Sequence, residues 1–246
     1  MKLLVSVVDV GEARTAAAAG ADIVDVKNPA EGSLGAPLPG VIAGVRAVVP
    51  PELPVSAAIG DMPDLPGTAA LAALGAARSG ATFVKVGLWG VSAEREAVDL
   101  LRAVRDAVAD APGTVVVAAA YADARRVAPQ PLAPELLPRV ACAAGVRTCM
   151  LDTAVKDGRG LLEWLAPEAL AALVADAHAS GQEVALAGNL RAEDLPVVRD
   201  TGGDIAGVRS AACGDDGRSG PLDPARVRAL VAACASTPPR GSRGAR

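Results

Sequence analysis

Apolar, β-branched runs alternate eight times with Ala/Leu-rich stretches of helical length, and this limits the fold more than any other feature. The runs are Leu3–Val8, Asp22–Val26, Pro54–Ile59, Thr82–Val86, Thr114–Ala119, Val146–Leu151, Glu183–Ala187 and Asp204–Val208. Helices are expected between them, for example over Gly11–Ala19, Gly67–Ser79, Ala93–Ala109, Leu161–Ser180 and Pro224–Cys234. Gly20, Gly80, Gly145, Gly181 and Gly202 each stand shortly before a run, where glycine ends a helix in the left-handed conformation. Apolar strands separated by helices belong to a parallel sheet covered on its outer side. Eight such units match a single-domain α/β protein, a closed (β/α)8 TIM barrel. An open doubly wound sheet is the rival, but no GxGxxG follows the first run and eight even units favour closure. The polar, Gly/Pro-rich segment 236–246 is expected to be a disordered tail after a catalytic domain of residues 1–235.

Composition excludes several functions. No apolar run reaches the roughly 18 residues that cross a bilayer. The opening Met-Lys-Leu-Leu-Val-Ser-Val-Val-Asp is too short and too soon acidic for a signal peptide. A net charge of −4 with the signs interspersed argues against a nucleic-acid partner. Two Trp, one Tyr and one Phe leave little surface for stacking on bases. Cys142, Cys149, Cys213 and Cys234 have no CxxC spacing and His178 is the single histidine, so no metal site is expected. A cytoplasmic location with reduced, mostly buried thiols follows as the default. Outer helices of such a barrel also offer surface for a homo-oligomer.

Lysine usage points to the chemistry. Four residues are lysine against twenty arginines, and three of the four lie in or just after apolar runs. Lys27 closes Asp-Ile-Val-Asp-Val-Lys, Lys85 lies inside Thr-Phe-Val-Lys-Val-Gly, and Lys156 follows Asp152 by four residues; Lys2 is terminal and solvated. A lysine can lose its proton and attack a carbonyl, and an arginine cannot. The plain alternative is a lysine stem packed on apolar surface. Barrel active sites form at the C-terminal strand ends. Asp25 and Lys27 are two apart and so face the same way, and an inward pair of this kind is costly unless used or well paired. Beside Lys85, Val84 and Val86 face away and Gly87 leaves space. An amine near other cations in a semi-apolar pocket loses its proton early enough to be a nucleophile or a base.

Two further segments suggest a phosphorylated ligand. Gly188-Asn189 follows the seventh run, and Gly207-Val-Arg209-Ser210 lies at the eighth; these are the loops where barrels commonly hold phosphate. Lys156 fits a phosphate contact or substrate orientation. Asp9 either lines the pocket or caps the first helix. Tyr121 either donates to substrate or packs under a loop, with Asp123 beside it. The Gly- and Pro-punctuated stretch from Lys27 to Gly35 is large enough for a lid. His178 sits late in an outer helix, away from the chemistry.

Four segments together resemble the (5-formylfuran-3-yl)methyl phosphate synthase family of methanofuran biosynthesis. They are Asp22-Ile-Val-Asp-Val-Lys-Asn-Pro-Ala-Glu-Gly-Ser-Leu-Gly-Ala, Lys85-Val-Gly-Leu, Tyr121-Ala-Asp-Ala and Met150-Leu-Asp-Thr-Ala-Val-Lys-Asp-Gly, and the similarity runs from about residue 3 to residue 234. The resemblance implies a TIM-barrel lyase that joins two glyceraldehyde 3-phosphates into a furan aldehyde phosphate without metal or organic cofactor. It makes Lys27 the Schiff-base lysine, Lys85 the proton acceptor, and Asp25, Asp152 and Lys156 supporting residues. Ala120, Asn189 and Ser210 stand where the family pattern has Gly, Ser and Gly; this bears on substrate fidelity, since all three are expected in substrate-facing loops. The rivals are another class I aldolase acting on sugar phosphates and a non-catalytic phosphometabolite-binding barrel.

Overall fold

Each of the eight apolar runs becomes a strand in the computed structural model, which describes residues 1–215 and 217–235. The expected tail, 236–246, lies outside the described residues. The strands are β1 (Lys2–Val7), β2 (Ile23–Val26), β3 (Val55–Pro63), β4 (Phe83–Gly90), β5 (Val115–Tyr121), β6 (Thr148–Asp152), β7 (Glu183–Leu186) and β8 (Ile205–Val208). The helices are α1 (Val10–Ala18), α2 (Pro39–Val48), α3 (Pro66–Arg78), α4 (Glu94–Ala107), α5 (Leu137–Ala144), α6 (Pro167–Ala179), α7 (Leu195–Asp200) and α8 (Pro224–Ala235). The strands close into one barrel in chain order, β8 pairing with β1, and every pair is parallel.

The strands read as nearly continuous apolar runs because both faces are buried. Leu3, Val5, Val7, Val24, Val26, Val84 and Val86 point outward into the layer shared with the helices. Leu4, Ile23, Ala58, Val117, Ala119, Met150, Ala185, Ala187 and Ile205 fill the interior. With so many alanines, the upper interior has room for polar side chains.

Local chemistry sets the boundaries. Gly20, Gly80, Gly145, Gly181 and Gly202 all have φ between 70° and 99°, as expected of glycines that end helices. The expected helix over Leu161–Ser180 divides into a 3₁₀ turn at Leu161–Glu163 and α6. Pro167 starts α6, and Ala166 before it is extended (ψ 149°), which a proline imposes on its predecessor. Strands β3 and β4 continue past their expected ends to Pro63 and Gly90. A Cβ on Gly90 would lie 2.5 Å from the Pro63 Cα, so the two strands meet there only because that residue is glycine.

Candidate active site

Inward residues two apart on neighbouring strands build a polar layer at the catalytic end. The register sets Ser6 beside Asp25 and Asp25 beside Ser56. Ser6 donates its hydroxyl to Asp25 Oδ2 at 2.9 Å, and Lys85 Nζ lies 2.6 Å from Asp25 Oδ1 with both side chains buried. That contact is an ion pair whose angles do not make a hydrogen bond, and neither atom has another partner among the described residues. The carboxylate that the Asp-x-Lys spacing sets beside Lys27 is thus ion-paired with Lys85 instead.

On the opposite wall, Asp152 ends β6. Lys156 Nζ reaches Asp152 Oδ1 at 2.6 Å and Thr153 Oγ1 at 3.1 Å, and the Thr153 N–H donates to the same carboxylate at 2.7 Å. Burial alone would raise the Asp152 carboxyl; the ammonium groups of Lys156 and Lys27 outweigh it and hold the group below its usual value.

Lys27 follows β2 into a cavity of about 230 Å³ that Lys85, Lys156, Asp25 and Asp152 also line. It is only 7% exposed and, unlike the other two lysines, makes no ion pair among the described residues. Burial pulls its pKa from 10.5 down to about 7. The charges of Lys156 and Lys85 add to this, and Asp152 and Asp25 oppose it.

Gly188, Asn189, Gly207, Arg209 and Ser210 line the same cavity. A Cβ on Gly188, whose φ is 107°, would come within 2.9 Å of the Thr153 Cγ2, so the chain passes closely there. Asn189 holds φ 48° and donates its side-chain amide to the Gly158 carbonyl, which fastens two loops together. The Arg209 guanidinium is already occupied. It pairs with Glu12 of α1 and donates to the carbonyls of Ser6, Gly220 and Arg218. Arg218, which sequence reasoning missed, also lines the cavity. Its side chain is half-buried and, among the described residues, donates only to the Gly32 carbonyl, at 3.0 Å; burial lowers its pKa.

Asp61, near the end of β3, is a second residue that sequence reasoning missed. It accepts from the Tyr121 hydroxyl and from the Ser33 and Leu34 N–H groups at 2.9 and 3.3 Å. Burial raises its carboxyl and pushes the Tyr121 phenol well above its ordinary range. Gly87 makes room for this pair, since a Cβ there would sit 2.2 Å from the Tyr121 oxygen. Tyr121 therefore packs beneath the 27–35 loop, and Ser33 pins that loop to the Thr153 carbonyl at 2.8 Å. Asp123 accepts from the Ala154 and Val155 N–H groups, and Asp9 caps α1 through the Glu12 N–H. Ala120 does not face the cavity: it lies in β5 and points outward into the helix layer, against expectation. His178 meets Asp204 at the outside, with both side chains partly exposed.

Comparison with known proteins places this geometry in a family. A model described as 4-HFC-P synthase matches residues 3–231. A (5-formylfuran-3-yl)methyl phosphate synthase of Methanocaldococcus jannaschii is 50% identical over 95% of this chain and 100% of that protein. The enzyme of the same description from Methanopyrus kandleri is also 50% identical, covering 95% and 99%. Among solved structures, a 3-hexulose-6-phosphate synthase aligns with a TM-score of 0.61 at 21% identity, over 96% of this chain and 100% of that one. A phosphoribosyl anthranilate isomerase from Thermus thermophilus aligns with a TM-score of 0.61 at 18% identity, over 95% and 98%. These two share the barrel; the sequence relatives and the family model carry more, and by them the chain belongs to the 4-HFC-P synthase family.

Proposed function

We propose that this enzyme converts two molecules of glyceraldehyde 3-phosphate into (5-formylfuran-3-yl)methyl phosphate, one inorganic phosphate and two waters, through an imine on Lys27. One observation carries this reading: of three lysines in the cavity, only Lys27 makes no ion pair among the described residues, and burial leaves it half deprotonated near pH 7.

The Lys27 amine adds to the aldehyde of the first triose and water leaves. The resulting iminium acidifies C2. Lys85 can take the C2 proton once its own has passed to Asp25, 2.6 Å away. The enamine then expels phosphate from C3, and the lifted proton departs with it. What remains on Lys27 is a conjugated iminium that is electrophilic at C3.

The product dictates the next bond. The furan carbon bearing the phosphomethyl group is C2 of the triose that keeps its phosphate, so that C2 must join C3 of the triose on Lys27. The Lys85–Asp25 pair lifts the C2 proton of the second triose and returns it to C2 of the first. The C2 hydroxyl of the first triose closes on the aldehyde of the second, hydrolysis frees Lys27, and loss of two waters gives the aromatic ring. Gly188, Asn189, Gly207 and Ser210 border the phosphate of the triose on Lys27, and Asp152 and Lys156 set the charge around the imine. The net reaction is carbon–oxygen lysis of a phosphate ester, with the C2 proton transfers assigned to the Lys85–Asp25 pair.

The test is incubation with glyceraldehyde 3-phosphate while furan absorbance and phosphate release are followed, with borohydride trapping in parallel. Furan and phosphate should appear in equal amounts and the trapped mass should map to Lys27. Labelling at another lysine, or none, would sink the imine assignment.

A further inference from the structure

Two phosphorylated substrates need two anion sites, and the polar groups around Lys27 offer an evident place for one. A second cavity of about 540 Å³ opens against the 28–33 loop and shares Lys156, Arg209 and Arg218 with the first. These cations differ in what they have left to give. Arg209 is saturated by Glu12 and three carbonyls. Lys156 spends two contacts on Asp152 and Thr153. Arg218 spends one, on the Gly32 carbonyl, and has no carboxylate partner among the described residues.

A half-buried guanidinium that touches no carboxylate among the described residues, and feels Asp152 and Asp61 only at a distance, is suited to an anion at the junction of two cavities. Its flat fork suits a phosphate dianion better than a lone ammonium does, and Lys156, which lines the same two cavities, adds charge. Asn28, Ser33 and Ser219 line the same second cavity. We infer that Arg218, with Lys156, holds the phosphate of the second triose, the one that never joins Lys27, in the cavity against the 28–33 loop. The inference rests on the two-triose reading above. It also implies that the second triose is selected by its phosphate, while its aldehyde and C2 reach toward the iminium.

Arg218→Gln tests this, because glutamine keeps a donor for the Gly32 carbonyl and loses only the charge. Furan formation is measured with glyceraldehyde 3-phosphate, and borohydride trapping and single-turnover phosphate release are measured separately. Losing one charge-assisted contact should raise KM for furan formation about 10- to 100-fold. Trapping at Lys27 and the first phosphate release should stay within about twofold of the parent. With unphosphorylated glyceraldehyde supplied, without borohydride, as second partner to the conjugated iminium left by phosphate loss, parent and variant should turn over equally.

An unchanged KM would overturn the assignment. So would equal loss of trapping and furan, which would place Arg218 at the first triose or in the fold. Arg218→Lys should restore part of the affinity; no recovery together with a lowered unfolding midpoint would likewise count against a phosphate contact. If the parent enzyme itself leaves Lys27 untrapped, the two-triose imine reading fails instead, and that outcome is separate from any behaviour of Arg218.

Discussion

Reductive trapping of Lys27 with an aldehyde should follow a titration centred near pH 7, and two substitutions should move its midpoint in opposite directions. With a pKa of about 7, half of Lys27 is free amine at pH 7, against about one molecule in 3,000 for a lysine at 10.5. The reactive fraction is therefore enriched roughly 1,500-fold. Burial is the largest cause and persists in both variants. Asp152 is the largest charge opposing it, so Asp152→Asn should lower the midpoint. Lys156 is the largest charge assisting it, so Lys156→Met should raise the midpoint. A neighbouring unit charge moves a buried group by about one pH unit or more, and the double variant should return close to the parent because the two charges cancel. The assay is cyanoborohydride trapping from pH 5.5 to 9.5, with the labelled Lys27 peptide read as a fraction of the total Lys27 peptide. A parent curve still climbing through pH 9 would refute the reasoning, and so would two variants shifted in the same direction.

Three further outcomes follow. Charging Lys27 opposes folding: the native amine binds its proton only below about pH 7 and the unfolded one already below 10.5, so stability should rise with pH across that window. Lys27→Met should accordingly raise Tm most near pH 6 and least near pH 10, while abolishing furan formation; a gain that is flat with pH would contradict this. Asp25→Asn leaves the Lys85 ammonium buried without its partner, and breaking such a pair costs about 3–5 kcal/mol in denaturant unfolding. In that variant imine trapping at Lys27 should survive while phosphate release collapses. Glu12→Gln strands the buried Arg209 guanidinium and should destabilise by a similar ~3–5 kcal/mol, with the trapping midpoint of Lys27 unmoved.

The barrel was legible because burial on both faces leaves a plain signature of continuous apolar strands between helices. The ends of β3 and β4 were not, since Gly60, Asp61, Pro63 and Gly90 are poor strand formers held in the sheet by the neighbouring strand. Lys27, Lys85 and Asp25 stood out through residue type and two-residue alternation. Their pairing did not, because Asp25 and Lys85 meet across the barrel interior, past the small Ser56 and Ala58 of β3. Arg209 and Arg218 are the same residue type in the one connection between β8 and α8. What separates them is Glu12, nearly two hundred residues earlier in α1, which occupies one guanidinium, while the other touches no carboxylate among the described residues. Asp61 escaped notice for the same reason: its donors come from the 27–35 loop and from β5.

The division of labour among the three lysines then comes from their partners. Asp25 touches Lys85 and Asp152 touches Lys156, so each of those two amines has a carboxylate partner and is suited to act as proton carrier or anion contact. Lys27 has carboxylates near enough to feel and, among the described residues, none near enough to bond, and burial decides its state. Moving either carboxylate into contact with Lys27 would hold it protonated and cost the nucleophile. Removing both would leave several cations facing one another with no counter-charge. The interior tolerates this arrangement because Ala58, Ala119, Ala185 and Ala187 leave the ion pairs room without forcing them apart. The sparse lysines and abundant alanines of the sequence are thus two sides of one requirement: a narrow barrel can keep one amine neutral only if small residues make space for the charges that stay beside it.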